Sequence, residues 1–369
     1  MRVALIGTAP ADYCLELADI LAESCDVLLC MSDRHVGMST LRQTPKFKFA
    51  WFVVPRHRQL RSISYLMNLR RVIRNWQPDL VHFLMENHVW LNILPLLLGP
   101  LPIITTVHDI EHHPGDYSSR RIPRLLINSL VRQSNCVIVH GPGLRDGLLK
   151  QRRISKERVF VVPHPPITYY AKLAKHLGYR KPQDGLFRVL FFGRIYEYKG
   201  LRYLIEAAPL ISAAAPKVRI IIAGTGADMG QYRTLIRDPT NFDIRNRFIP
   251  DEEVAHLFTE ADLLVLPYIE ASQSGVLANA IGFGLPVVAT EVGELSAVVR
   301  ETGMGLTVPP ADSSALARAI SSIAKDARLY EELTANARSA AAHTYSRRAI
   351  LAQTLTAYQA VFQQHARHK

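Results

Sequence analysis

Short apolar runs alternate with longer amphipathic stretches along all 369 residues, and that alternation constrains the fold more than any other feature. Runs such as Val189-Leu190-Phe191-Phe192 and Ile220-Ile221-Ile222-Ala223 are apolar on both faces. A strand of that kind needs cover on both sides, which a parallel sheet obtains from its helical crossovers. In the first half the strand signals are Arg2–Ile6, Asp26–Cys30, Phe49–Val53, Leu80–Leu84, Ile103–Val107, Cys136–His140 and Val159–Val162. In the second half they are Arg188–Phe192, Arg219–Ala223, Ile244–Phe248, Leu263–Leu266, Val287–Ala289 and Gly305–Val308. Helical segments such as Leu201–Ala213, Glu252–Thr259 and Ser314–Ala327 fill the gaps, giving repeated βα units. A polar stretch from Pro163-His164-Pro165-Pro166 to Gly185 separates the two arrays and reads as a linker.

The expectation is an α/β chain of two Rossmann-like parallel-sheet domains, residues 1–170 and 185–344, facing across a cleft. The helical stretch at about 345–369 is expected to pack back on the first domain. Ligands of open parallel sheets bind outside the carboxyl ends of the strands, so the cleft is the expected site.

Composition removes other classes. Hydrophobic residues make up 48% and charged residues 21%, which excludes disorder, collagen and coiled coil. Cys14, Cys25, Cys30 and Cys136 lack any C-x-x-C spacing, so neither a zinc knuckle nor a disulfide framework is indicated, and a reducing cytoplasm fits. The uncharged run Val89–Val107 is broken by Pro95, Gly99, Pro100 and Pro102 and reads as a helix end, a loop and a buried strand. Charge is uneven: residues 1–180 hold 24 Lys+Arg against 13 Asp+Glu, while residues 181–369 hold 20 against 19. The first half therefore suits an anionic partner, with nucleic acid, an acidic membrane and a phosphorylated acceptor as candidates. Its densest stretch carries Arg56, Arg58, Arg61, Arg70, Arg71 and Arg74 with no acid, interleaved with Leu60, Ile63, Leu66, Met67, Leu69, Val72, Ile73 and Trp76. It reads either as a basic face for anionic lipid or as an ordinary amphipathic helix against the first sheet.

Four stretches carry candidate chemistry. Gly193-Arg194 and Lys199-Gly200 flank a βα loop, placing two cations where the next helix presents unpaired N–H groups, which suits a diphosphate; two solvated charges are the plain alternative. Gly224-Thr225-Gly226 approaches a dinucleotide fingerprint but runs one residue too long to Gly230, so its glycines read as a tight turn beside a ligand. Val107-His108-Asp109-Ile110-Glu111-His112 contains H-x-x-E-H, yet Pro114-Gly115 leaves no helix to carry it, so His108 reads as a ligand contact at a strand end or as a structural histidine. Pro267 ends a strand, and the small polar loop to Ser274-Gly275-Val276 opens a helix whose first-turn amides suit a phosphate or sugar oxygen; capping by Ser272 or Ser274 is the alternative. No D-x-D occurs, and no metal-ligand constellation is evident.

Together these residues resemble glycosyltransferase family 4, retaining nucleotide-sugar enzymes of GT-B fold, in a divergent branch with a Gln-Ser-Gly loop. The resemblance runs through Gly193-Arg194, Lys199-Gly200-Leu201, Ala223-Gly224-Thr225-Gly226, Ala261–Pro267, Gly284–Thr290 and Gly303–Pro309, and more thinly through Pro78–His82, Val107-His108-Asp109 and Val161–His164. It implies that Arg194 and Lys199 neutralise a leaving diphosphate and that His108 sits beside the transferred sugar. Gly7, Thr8, Gly193, Gly224, Ser274, Gly275 and Val276 would line the donor, with Ile249 and Pro250 at the base. The family carries two glutamates separated by seven residues; here Ala271 stands at the first position and Asn279 at the second, with Glu270 one residue from the first. Asn279 would then bond a ribose hydroxyl, and Glu270 would stand in for the missing catalytic glutamate. The implied substrates are a nucleoside diphosphate sugar and a glycan or lipid-diphosphate-linked acceptor, with no metal, no other cofactor and no nucleic acid. An epimerase or phosphorylase on the same fold and a non-catalytic polyanion-binding protein are the alternatives. The implied location is cytoplasmic, peripheral on the inner face of the membrane through the basic first domain.

Overall fold

The computed structural model describes residues 1–7, 10–33, 46–55, 61–85, 89–110, 124–152, 154–226 and 229–367. They form two compact units: one holds the described residues up to Pro165 together with those from Arg347 onward, the other Pro166–Ser346.

The first unit is built on seven strands: β1 (Arg2–Ile6), β2 (Asp26–Ser32), β3 (Lys48–Phe52), β4 (Leu80–Phe83), β5 (Ile103–Val107), β6 (Cys136–Val139) and β7 (Val159–Val161). They lie in the order β3-β2-β1-β4-β5-β6-β7, every pair parallel. The second unit holds β8 (Phe187–Phe192), β9 (Val218–Ala223), β10 (Phe242–Arg245), β11 (Leu263–Leu266), β12 (Val287–Thr290) and β13 (Gly305–Val308), in the order β10-β9-β8-β11-β12-β13 and again all parallel. In each sheet the chain winds outward from one central strand, returns, and winds the other way. The reversals fall between β1 and β4 and between β8 and β11. At such a point neighbouring loops diverge and leave a crevice at the strands' carboxyl ends. The doubly apolar strand composition is accounted for by cores on both faces of each sheet. In the second unit Leu190, Ile221 and Leu264 enter one core and Val189, Ile220 and Leu263 the other.

Three expectations are corrected. The stretch read as a linker contains a helix, Tyr169–His176, because Tyr169, Tyr170 and Ala174 bury against the second unit's core. Strand β10 spans Phe242–Arg245, starting two residues and ending three residues before the expected Ile244–Phe248. Its register pairs Phe242 with Ile220 and Arg245 with Ala223, and Ala223 ends β9, so nothing remains for Phe248 to pair with. The helix expected over Ser314–Ala327 forms over Ser313–Lys325 and stops at Asp326, whose carboxylate accepts from the Leu329 amide and caps a further helix, Ala327–Ala342.

The last helix, Arg347–Arg367, belongs to the first unit. Ile350, Ala357, Tyr358 and Val361 enter the core beside Leu15, Ile20 and Leu29. Arg347 opens it with ion pairs to Glu16, Asp19 and Glu23 at 3.4, 3.0 and 2.7 Å. Among the described residues no helix is long and apolar enough to cross a membrane.

Candidate functional site

The loops leaving β8 and β11 meet at the second unit's switch point, and glycine is what lets them touch. Gly200 has φ +67, and a Cβ there would lie 1.8 Å from the Pro267 carbonyl oxygen. Gly224, at φ +147, would place a Cβ 1.8 Å from the carbonyl oxygen of Gly193. No side chain fits either position, so these glycines hold three strand ends in backbone contact. The Ile269 amide donates to the Tyr198 carbonyl at 2.7 Å and fastens the same two loops again.

Lys199 is posed by this arrangement. Its Nζ sits 3.7 Å from the ring centroid of Tyr268 and 5.0 Å from that of Tyr198. Tyr268 is buried, and Thr290 Oγ1 donates to its carbonyl at 2.5 Å, so the platform under the ammonium is rigid. Burial raises the Tyr268 phenol above its ordinary range, keeping it neutral. A neutral ring face attracts the cation without quenching its charge. Arg194 is exposed, its guanidinium 5.0 Å from the ring of Tyr196.

From β11 the chain runs through the small polar loop into the helix Gly275–Phe283. Ser274 caps it, its Oγ accepting from the Leu277 amide at 3.4 Å and lying 3.2 Å from Tyr268 Oη. The capping reading of Ser274 is therefore what the structure shows for its side chain. A Cβ at Gly275 would meet nothing within 4 Å, so open space lies at the helix start. Val276 lies 3.4 Å from where a Gly193 Cβ would be, joining the helix to the β8 loop. Asn279 is one turn further on. It is 6% exposed, and its Oδ1 has no hydrogen-bond partner among the described residues. A buried amide oxygen left without a donor costs about 1–3 kcal/mol unless a ligand or water supplies one. Glu270 is exposed on the same loop. Ile249 is buried in the core shared with Leu277 and Ile281, and Pro250 precedes the helix Asp251–Glu260. The structure thus brings Gly193, Lys199, Gly224, Ser274, Gly275, Val276 and Asn279 to one end of one sheet.

Gly7 and His108 belong to the first unit, and Thr8 lies outside the described residues. A Cβ on Gly7 would fall 2.3 Å from Cys14 Sγ, so Gly7 serves the approach of the helix Ala11–Leu21. His108 follows β5, with Nε2 2.8 Å from the Leu84 carbonyl oxygen. A carbonyl only accepts, so Nε2 carries a proton and the hydrogen bond fixes the orientation of the ring. Glu111 and His112 of the H-x-x-E-H stretch lie outside the described residues.

Composition and spacing did not reveal that His108 belongs to a cluster. Its ring centroid is 4.7 Å from Tyr13 and 4.9 Å from His140, and His140 is 5.1 Å from His164. His140 donates from Nδ1 to the Val162 carbonyl and His164 from Nδ1 to that of Pro165, both at 2.8 Å. Nearby, His82 lies between Tyr358 Oη at 2.7 Å and Thr106 Oγ1 at 2.8 Å. Burial drives all four imidazoles toward neutrality, His82 down to about 3 and His164 to about 4, with neighbouring histidines adding to it for His82, His140 and His164. The sequence signal is a histidine at or beside the end of consecutive strands, visible only once the strands are known to adjoin.

Two family models match: "Glycosyltransferase Family 4" over residues 11–165 and "Glycosyl transferases group 1" over residues 187–326. A glycogen synthase from Mycobacterium tuberculosis is 25% identical over 343 residues, 87% of this chain and 76% of that one. Sucrose-phosphate synthase from Thermosynechococcus elongatus superposes with a TM-score of 0.77 at 19% identity, covering 99% of this chain and 100% of that one. Anabaena HepE in complex with UDP-glucose superposes at 0.73 with 20% identity, covering 96% and 99%. The solved structures establish a shared fold. With that fold and two matching models spanning most of its length, this chain is a family-4-like glycosyltransferase of GT-B architecture.

Proposed function

We propose that this enzyme is a retaining, metal-independent hexosyltransferase that moves a hexose from a nucleoside diphosphate sugar to a glycan or lipid-linked acceptor in cell-surface polysaccharide synthesis. The observation that carries the proposal is the ammonium of Lys199 held on Tyr268 beside the open N-terminus of the helix Gly275–Phe283. A cation and unpaired first-turn amides at a switch point form a diphosphate site. HepE, bound to UDP-glucose on the same fold, supports the donor class.

In this reading Arg194 and Lys199 take up the charge that develops on the departing diphosphate, and the Gly275 and Val276 amides hold its oxygens. Asn279 Oδ1 accepts from a ribose hydroxyl, which answers its lack of a partner. His108 of the first unit is assigned to the sugar, and Glu270 is the acidic group on the second unit's loop between β11 and the helix Gly275–Phe283. The acceptor hydroxyl attacks from the face the diphosphate leaves, so no protein nucleophile is needed; the enzyme's contribution is positioning and charge stabilisation. The positive balance of the first half fits work at the inner face of a cytoplasmic membrane, held there peripherally.

The test is a thermal-shift screen of UDP-, GDP- and ADP-sugars, followed by transfer assays with excess EDTA. A donor at a hundred times its Kd adds about 2.7 kcal/mol to stability. Transfer should survive chelation, and the new glycosidic bond should keep the donor's anomeric configuration by NMR. Activity abolished by EDTA and restored by Mn²⁺, or an inverted product, would refute the mechanism.

A further inference from the structure

A groove of about 740 Å³ opens on the first unit between the carboxyl end of β3 and the helix Arg61–Trp76. That volume lies within the roughly 300–1,000 Å³ typical of small-molecule sites. The helix lines it with Arg61, Ser64, Tyr65, Asn68 and Arg71. These positions repeat at three- and four-residue intervals and so share one face. From the strand side comes Phe52, whose ring meets Tyr65 edge-on at 6.0 Å. The groove therefore has an aromatic wall, a cation near each end of the helical face, and a hydroxyl and an amide between them.

Among the described residues no carboxylate offsets the charge on this wall. Residues 53–76 contain no Asp or Glu. Arg61 and Arg71 are both exposed, and no described carboxylate pairs with either. This contrasts with Arg70 on the same helix, which donates to the Leu97 carbonyl at 2.9 Å and is spent on the fold. A guanidinium offers a planar fork of donors that matches phosphate oxygens, and two of them bracketing a cavity select a ligand with phosphate charge. Ser64, which donates to the Arg61 carbonyl at 2.9 Å, keeps lone pairs for ligand hydroxyls, and Asn68 offers both donors and an acceptor. All strands of the sheet are parallel, so the groove opens at the same edge as Gly7 and His108. β3 stands two strands from β1, a distance of about 10 Å at the usual strand spacing.

We infer that this groove binds the phosphate-bearing part of the acceptor, a sugar phosphate or diphosphate-linked glycan, and holds it while the acceptor's reacting end lies at the carboxyl ends of β1 and β5. This rests on the reading of the chain as a glycosyltransferase whose first unit takes the acceptor. The shared chemistry is a phosphorylated sugar, and two sources can supply it: a soluble sugar phosphate or a lipid-linked diphosphate.

The experiment uses the full chain with UDP added to fill the donor site. Binding of inorganic pyrophosphate, of glucose 1-phosphate and of unphosphorylated glucose is followed by titration calorimetry. Pyrophosphate and glucose 1-phosphate should bind and glucose should not. The double variant Arg61→Gln/Arg71→Gln should weaken both phosphate ligands at least tenfold while leaving the UDP-induced thermal shift unchanged. Arg74→Gln, an exposed arginine on the same helix that does not line the groove, should leave all of them unchanged. A second arm replaces the soluble ligands with detergent-solubilised undecaprenyl diphosphate; binding there but not to glucose 1-phosphate assigns the groove to the lipid-linked source. Equal binding by wild type and double variant would overturn the inference. So would loss of binding to phosphatidylglycerol vesicles in the double variant with no response to any phosphorylated ligand, which would assign the arginines to a membrane surface. If wild type fails to bind UDP yet binds glucose 1-phosphate through Arg61 and Arg71, the donor reading falls and the groove stands.

Discussion

Acidification from pH 7.5 to 5.0 should destabilise the first unit. An imidazole that titrates near 6.5 in the unfolded chain but lower in the fold binds more protons when unfolded throughout the interval between the two values. Stability is therefore intact above pH 6.5, starts to fall below it, and goes on falling until the folded-state value is passed. For His82 that value is about 3 and for His164 about 4, and His140 is likewise held well below its ordinary range. At pH 5.0 His82 and His164 each cost about 2 kcal/mol, since one pH unit of imbalance is worth about 1.4 kcal/mol. His82 and His164 together cost about 4 kcal/mol, and His140 adds to the loss in the same direction, against a typical total of about 5–15 kcal/mol. The assay is built into the chain: Trp51, Trp76 and Trp90 all fall in its first half, so tryptophan fluorescence during urea unfolding reports that unit. His82→Asn keeps hydrogen-bonding groups near Tyr358 and Thr106 but removes the titration. It should flatten the pH dependence by about 2 kcal/mol whatever its effect at pH 7.5. A wild-type loss below about 1 kcal/mol, or a variant with the wild-type slope, would refute the reasoning.

Three further outcomes follow from the donor end. Lys199→Ala or Arg194→Ala should lower kcat by about 10²–10³, as removal of a transition-state donor does elsewhere; near-normal turnover in both would remove the diphosphate assignment. Asn279→Ala should raise donor KM about tenfold with little change in kcat, whereas an unchanged KM would reduce Asn279 to a packing role. Gly200→Ala and Gly99→Ala both place a side chain at positive φ, +67 and +82, at a cost of about 1–2 kcal/mol each. Only at Gly200 does the new Cβ also strike a backbone carbonyl, so calorimetry should show a clearly larger fall in Tm there; equal falls would mean that the β8 and β11 loops are not in fixed contact.

The class of fold was legible because it rests on local chemistry. A run such as Val189–Phe192, apolar on both sides, is stable only inside a covered parallel sheet, and all thirteen strand segments formed at or close to the expected places. Where expectation slipped, a partner distant in sequence made the decision. Phe242–Arg245 pairs in the register that β9 allows, which moved the strand off Ile244–Phe248. Tyr169 and Tyr170 turned a presumed linker into a helix because an apolar surface was there to receive them.

The same division runs through the candidate site. Gly200, Lys199 and the Ser274 loop could be picked out by residue type and by position after a strand, since backbone freedom, charge and helix-start chemistry are properties of a few consecutive residues. That Lys199 rests on Tyr268, 69 positions along the chain, could not, because nothing local records which loop lies beside which. His82, His108, His140 and His164 are scattered in sequence, and it is the order β1-β4-β5-β6-β7 that gathers them and strips their water. Composition and periodicity are summed along the chain and so determine which elements form. Proximity, burial and the resulting protonation depend on which elements end up adjacent, and strand order alone settles that.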